Sequence, residues 1–246
     1  PISLNSPYYQ LSGMPFYKSH SDAINKLWKT IEAENLLPIQ KWENANLKEK
    51  STKMKNAFYP FSGADFVNLY GFYPNAEKYL MVALEKPGKI SDPLNLNAGQ
   101  TKKALQSLKI LLSEISERNY FRRRVMKQEF QNPHFSGVLP ALIIFMTKLG
   151  LEVEEISNLI LNEDGVLVPT PENFTVKGHH EGVKIKFFDT KTSKSKELIY
   201  LSILLNENSH SEISSEGKFF QKLENFAVLM KSAEYLLLFI SPFILQ

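Results

Sequence analysis

The stretch Ala57–Gly88, AFYPFSGADFVNLYGFYPNAEKYLMVALEKPG, constrains the fold more than any other part of the chain. Two apolar runs, Ala57–Phe61 and Tyr79–Leu84, each stop at a polar or glycine-bearing loop. Ser62-Gly63-Ala64-Asp65 follows the first run and Glu85-Lys86-Pro87-Gly88 the second. Between them Phe66, Leu69, Tyr70 and Tyr73 recur at offsets of 0, 3, 4 and 7, which line one face of a helix. The pattern predicts strand, helix, strand, with side chains presented at the strand ends. Pro60 has no N–H for a ladder and argues against a central place for the first strand. The second is nearly all apolar, as strands covered on both faces are.

The flanking sequence adds elements on both sides. Residues 1–20 mix turn formers and aromatics without a period (Pro7, Tyr8, Tyr9, Gly13, Pro15, Tyr17) and predict an extended arm lying on the domain. Ser21 and Asp22 are capping residue types, and Ile24, Leu27, Trp28 and Ile31 follow at helical spacing. That helix is expected to end before Pro38. A short second helix is expected from Trp42 to Leu47, then a lysine-rich link, Lys48–Asn56. Thr101–Glu117 carries the inward stripe Ala104, Leu108, Leu111, Leu112 and Ile115 of an amphipathic helix, and Gly137–Gly150 reads as a helix stopped by Gly150. Gly165–Thr170 reads as a short strand. Gly182–Asp189 and Glu197–Leu205 flank a polar turn and predict an antiparallel hairpin. Ser214–Asn225 reads as helix, Phe226–Met230 as strand, and Ser232–Phe239 as either.

With 246 residues, 43% of them hydrophobic, the chain has material for one sizeable core. One α/β domain over residues 57–246 is expected, with residues 1–56 as an arm and helices packed on it. The formal net charge of +3, from 29 basic and 26 acidic residues, gives no case for a nucleic-acid partner. The absence of cysteine removes disulfides, thiolate nucleophiles and cysteine-ligated metals. No apolar run reaches the roughly 20 residues of a spanning helix, so no transmembrane segment is expected. Tyr235–Gln246 is short, carries Pro242 and reads as buried core, although its pattern departs abruptly from what precedes it. The start at Pro1 reads as processing or truncation, which leaves room for a signal peptide already removed.

Motifs with chemistry are few. His179 and His180 are adjacent, expected in a turn, and neighbours in extended chain point opposite ways, so no metal site is predicted there. His134 and His20 each stand alone. The run Arg118–Arg124 is the one dense basic patch; its plain reading is a solvated or ion-paired face, and its functional reading an anion site at Arg122, Arg123 and Arg124. Serine-hydrolase elbows, zinc-protease helices and glycine-rich phosphate loops are all missing. What survives is positional. Ligands of open α/β sheets bind outside the carboxyl ends of the strands, which makes Ser62, Gly63, Asp65 and Glu85 the candidates for holding a small polar molecule.

A glycine after strand one and an acid ending strand two resemble the layout of S-adenosylmethionine-dependent methyltransferases. The resemblance implies a Rossmann-like first half, Gly63 as the glycine of close approach, Glu85 as the acceptor for ribose hydroxyls, and S-adenosylmethionine as cofactor. The segments Tyr59–Asp65, Phe72–Ala76, Leu84-Glu85 and Lys231–Leu236 also resemble a bacterial family of uncharacterised proteins, often exported or lipid-anchored. That resemblance implies an exported or cell-envelope location over a cytoplasmic one, and no activity. The expected architecture is three-layer α/β: a mixed sheet, Rossmann-like in its first half, with an antiparallel hairpin in its second and an N-terminal helical extension. Three functions stay open: a ligand-binding or catalytically reduced methyltransferase-like domain, an active methyl transferase, and a structural or partner-binding envelope protein.

Overall fold

The computed structural model describes residues 12–60, 62–90, 92–118, 135–171, 180–204 and 213–229. The expected α/β architecture is present: among the described residues, a seven-stranded mixed sheet with helices and an N-terminal helical extension.

The extension is more helical than its sequence pattern predicts. Helix α1 spans Pro15–Ile31, so residues expected in the extended arm already form its first turn. Pro15 sits at the start of the helix, where its fixed φ suits the turn and its missing N–H costs nothing. A π-helical turn, Glu32–Leu36, follows, and α2 (Leu37–Asn46) restarts with Pro38 in its first two positions. The proline thus ends one register and opens another. The predicted lysine-rich link is in fact a short helix, α3 (Lys48–Lys53). Lysine is a good helix former, and Ser51, fully buried, donates to the buried carboxylate of Glu43.

Strand β1 (Asn56–Pro60) leads through α4 (Phe66–Phe72) to β2 (Lys78–Ala83), which pairs parallel beside it with Phe58 opposite Leu80. Beyond β2 come the short strand β3 (Lys89–Ile90), α5 (Ala98–Arg118) and β4 (Phe135–Ser136), which pairs with β3. Helix α6 (Leu139–Leu149) ends at Gly150, whose φ of 80° is the left-handed stop that glycine accommodates. Then follow β5 (Leu151–Leu161), β6 (Leu167–Pro169), β7 (His180–Asp189), β8 (Lys194–Ser202), α7 (Ser215–Gln221) and β9 (Phe226–Val228). The order across the sheet is β6-β5-β7-β8-β2-β1-β9. Strands β8, β2, β1 and β9 run parallel, and β7, β5 and β6 are antiparallel to their neighbours.

Strand β1 lies next to last in the sheet, between β2 and the short strand β9, and its proline is accommodated there. The Phe58 carbonyl accepts from Leu229 N–H on the β9 side. Pro60, two residues on, turns the position of its missing N–H the same way, beyond the last paired residue of β9.

Alternate residues of β2 feed two cores, as its unbroken apolarity predicts. Tyr79, Met81 and Ala83 join Ile31 of α1, Phe66 and Leu69 of α4, and Leu142 and Phe145 of α6 on one face. Leu80 and Val82 join Leu201, Phe219 and Phe220 under α7 on the other. Strand β5 serves both cores through a bulge between Val153 and Glu155. Before the bulge Leu151 and Val153 point into the first core, and after it Leu159 and Leu161 point into the second. On the second face Glu155, Lys186, Glu197 and Lys78 stand opposite one another across four strands, with Lys186–Glu155 at 2.9 Å and Lys78–Glu197 at 3.0 Å. A one-residue slip of any of these strands would break that row of alternating charge. Among the described residues no helix is long and apolar enough to cross a membrane.

Candidate functional site

Sheet order selects the place. From β1 the chain steps to β2 and later to β8 on one side, and returns with β9 on the other. The order therefore reverses at β1, and the crevice outside the carboxyl ends of the parallel strands is where such sheets hold ligands. The four residues singled out from the sequence lie at that edge of neighbouring strands, because Pro60 is opposite Val82.

After β1 the chain stays tied to β2, with Ser62 N–H donating to the Val82 carbonyl at 3.1 Å. Gly63 takes a φ of 53°, and Asp65 N–H closes the turn on the Ser62 carbonyl. Asp65 then caps α4, Oδ1 accepting from Asn68 N–H and Oδ2 from Asn68 Nδ2 at 2.7 Å. Tyr59 Oη donates to the same Oδ2 at 3.2 Å. Burial, and after it the charge of Asp65, push the Tyr59 phenol well above its ordinary value, so it stays a hydrogen-bond donor. Asp65 is 5% exposed and Ser62 4%. Phe66, fully buried, lies edge-on to Tyr79 and to Phe187. The Asp65 carboxylate is therefore committed to starting α4 and to satisfying a buried phenol.

Glu85 lies two residues past β2, partly exposed, and its backbone carbonyl accepts from Tyr200 Oη at 2.7 Å. The next residues are held by the start of α6: Lys86 and Pro87 carbonyls accept from Val138 and Leu139 N–H at 3.1 and 2.9 Å. Gly88 and Gly137, both at positive φ, let these two backbones touch. The edge thus carries the Gly63 turn after β1 and Glu85 just past the end of the neighbouring β2, with the backbone there held by Tyr200 and the start of α6.

Sequence reasoning missed a second polar group on the same edge. His180 opens β7 instead of lying in a turn; its neighbour His179 is outside the described residues. Its Nε2 is 2.7 Å from Glu216 Oε1 on α7, and its Nδ1 is 3.2 Å from the Ser202 carbonyl on β8. Ser215 Oγ donates to the other oxygen of Glu216 at 2.9 Å. Beside it, Lys86 pairs with Glu181 at 2.8 Å. Both ring nitrogens of His180 are engaged, so the pair fastens α7 to the sheet and presents no free base. The signal was available: extending the hairpin alternation back from Gly182 puts His180 on the face that α7 covers.

Of the remaining candidates, Arg122, Arg123, Arg124 and His134 lie outside the described residues. His20 is held below its ordinary value by burial and then by the charge of Lys109, and has no carboxylate bound to it among the described ion pairs. Among the described residues no group of three or more His, Asp and Glu side chains could hold a metal ion.

The fit to S-adenosylmethionine is poor. The turn has Gly63 alone where the methyltransferase layout carries several glycines, and the acid beside it, Asp65, is engaged by Tyr59 and Asn68. Compared with protein-family models, with curated proteins and with solved structures, the chain matches none.

Proposed function

We propose that this chain is a catalytically reduced α/β domain that binds a small polar molecule at the carboxyl edge of its parallel strands. Gly63 gives the ligand close backbone approach and Glu85 accepts from its hydroxyl or amino groups. The reading is supported by one observation, the reversal of strand order at β1: the Ser62-Gly63 turn follows the carboxyl end of that strand, the edge at which open α/β sheets take ligands. The reduced character is supported by Asp65, whose carboxylate serves the fold. An active methyl transferase is the second reading, and the layout of Gly63 and Glu85 on adjacent strand ends is what favours it.

Amide NMR of the full chain separates these. S-adenosylmethionine, S-adenosylhomocysteine, adenosine and a set of free sugars and amino acids are titrated to millimolar concentration. Shifts confined to residues 62–68 and 84–88 with a polar compound outside the adenosyl pair support the binding reading. Such shifts with both adenosyl compounds favour the transferase. No localised shift with any of them overturns both and leaves the partner-binding envelope reading.

A further inference from the structure

We draw no further inference here: the strongest candidate, the row Glu155–Lys186–Glu197–Lys78 across the second face of the sheet, already meets its own charges strand to strand, and nothing in the structure shows what covers it.

Discussion

Asp189 and Lys196 meet at 2.7 Å at the amino edge of the sheet, with 0% and 1% of their side chains exposed. Tyr70 Oη donates to the carboxylate at 3.0 Å, backbone N–H groups of Lys191 and Thr192 reach its other oxygen, and Lys196 also donates to the Pro74 carbonyl. Lys196 Nζ lies 5.6 Å from the centre of the Tyr70 ring. The pair therefore joins the β7–β8 hairpin to α4 and to the loop before β2.

Removing one partner strands a charge in the interior. Asp189→Asn or Lys196→Met is expected to cost about 3–5 kcal/mol, and the double variant less than the sum of the two. Denaturant midpoints read this; single variants within about 0.5 kcal/mol of wild type, on the scale of an exposed pair, would show that the pair adds nothing. Burial raises the Asp189 carboxyl, but the hydrogen bond and charge of Lys196, with Tyr70 and Lys191, outweigh it and hold it below the ordinary carboxylate range. A carboxyl lowered on folding stabilises fully above its unfolded value, about pH 4, and loses that contribution as pH falls through the folded value. The acid limb of stability should therefore flatten in Lys196→Met.

Asp65 provides the second test, because the reduced character of the proposed site rests on its carboxylate serving the fold. Asp65→Ala removes a helix cap, about 1 kcal/mol, and leaves the Tyr59 hydroxyl buried without its acceptor, roughly another 1–3 kcal/mol. Tyr59→Phe keeps the ring and should cost about 1 kcal/mol. Thermal melts of the two variants measure both losses. A wild-type melting temperature for Asp65→Ala would mean that the carboxylate does not serve the fold.

The first half of the fold was legible because its signals are local. Phe66, Leu69 and Tyr70 share a helical face, and Tyr79–Leu84 is apolar without interruption, so periodicity gives α4 and β2 directly. Strand β5 was not legible. Its acidic residues Glu152, Glu154 and Glu155 crowd the bulge that shifts its inward parity, so no single alternation runs along it. Pro60 misled for a related reason: whether a missing donor matters depends on how far β9 extends, which is a long-range fact. The candidate site shows the same split. Position at a strand end could be read from residues 62–65 and 85, whereas the engagement of Asp65 by Tyr59 needed the turn of the chain. The His180–Glu216 pair joins residues 36 apart in sequence.

Gly88 and Gly137 should be close to irreplaceable. A Cβ on Gly88 would lie 1.9 Å from the Ser136 carbonyl oxygen, and one on Gly137 would lie 2.5 Å from Gly88 N. Both hold positive φ, 73° and 69°, which adds about 1–2 kcal/mol for any L side chain. The atoms met are backbone, so relief requires moving the loop that carries Glu85. Gly88→Ala is expected to lower stability by roughly 3 kcal/mol and to shift amide resonances of residues 84–88 and 136–139 together. Gly99→Ala, whose added methyl would meet only the Asn97 side chain at 3.3 Å, serves as control and should change little. Equal effects at both positions would remove the contact as the cause.

The His180–Glu216 contact should act locally on α7. Burial raises the Glu216 carboxyl, but its own backbone N–H, the Ser215 hydroxyl and His180 outweigh that and bring it below the ordinary value. Its contribution is therefore present above the unfolded carboxylate value and lost as pH falls through the folded one. His180→Ala removes the partner across β7 and is expected to weaken docking of α7 by about 2 kcal/mol, the scale of a hydrogen bond to a charged group. Hydrogen exchange reads this residue by residue: the Gly217 amide should exchange up to roughly 30-fold faster, since 1.4 kcal/mol is tenfold. Amides of β2, in the middle of the sheet, should keep their rates. The other fastenings of α7, Lys218 to the Glu163 carbonyl and Lys222 to the Asp164 carbonyl, both at 2.9 Å, lie at the β5–β6 turn and remain in the variant. Opening should therefore be graded, greatest at Gly217 and least toward Gln221. Uniform acceleration across α7 and β2 would instead mean that the pair supports global stability and does not fasten the helix.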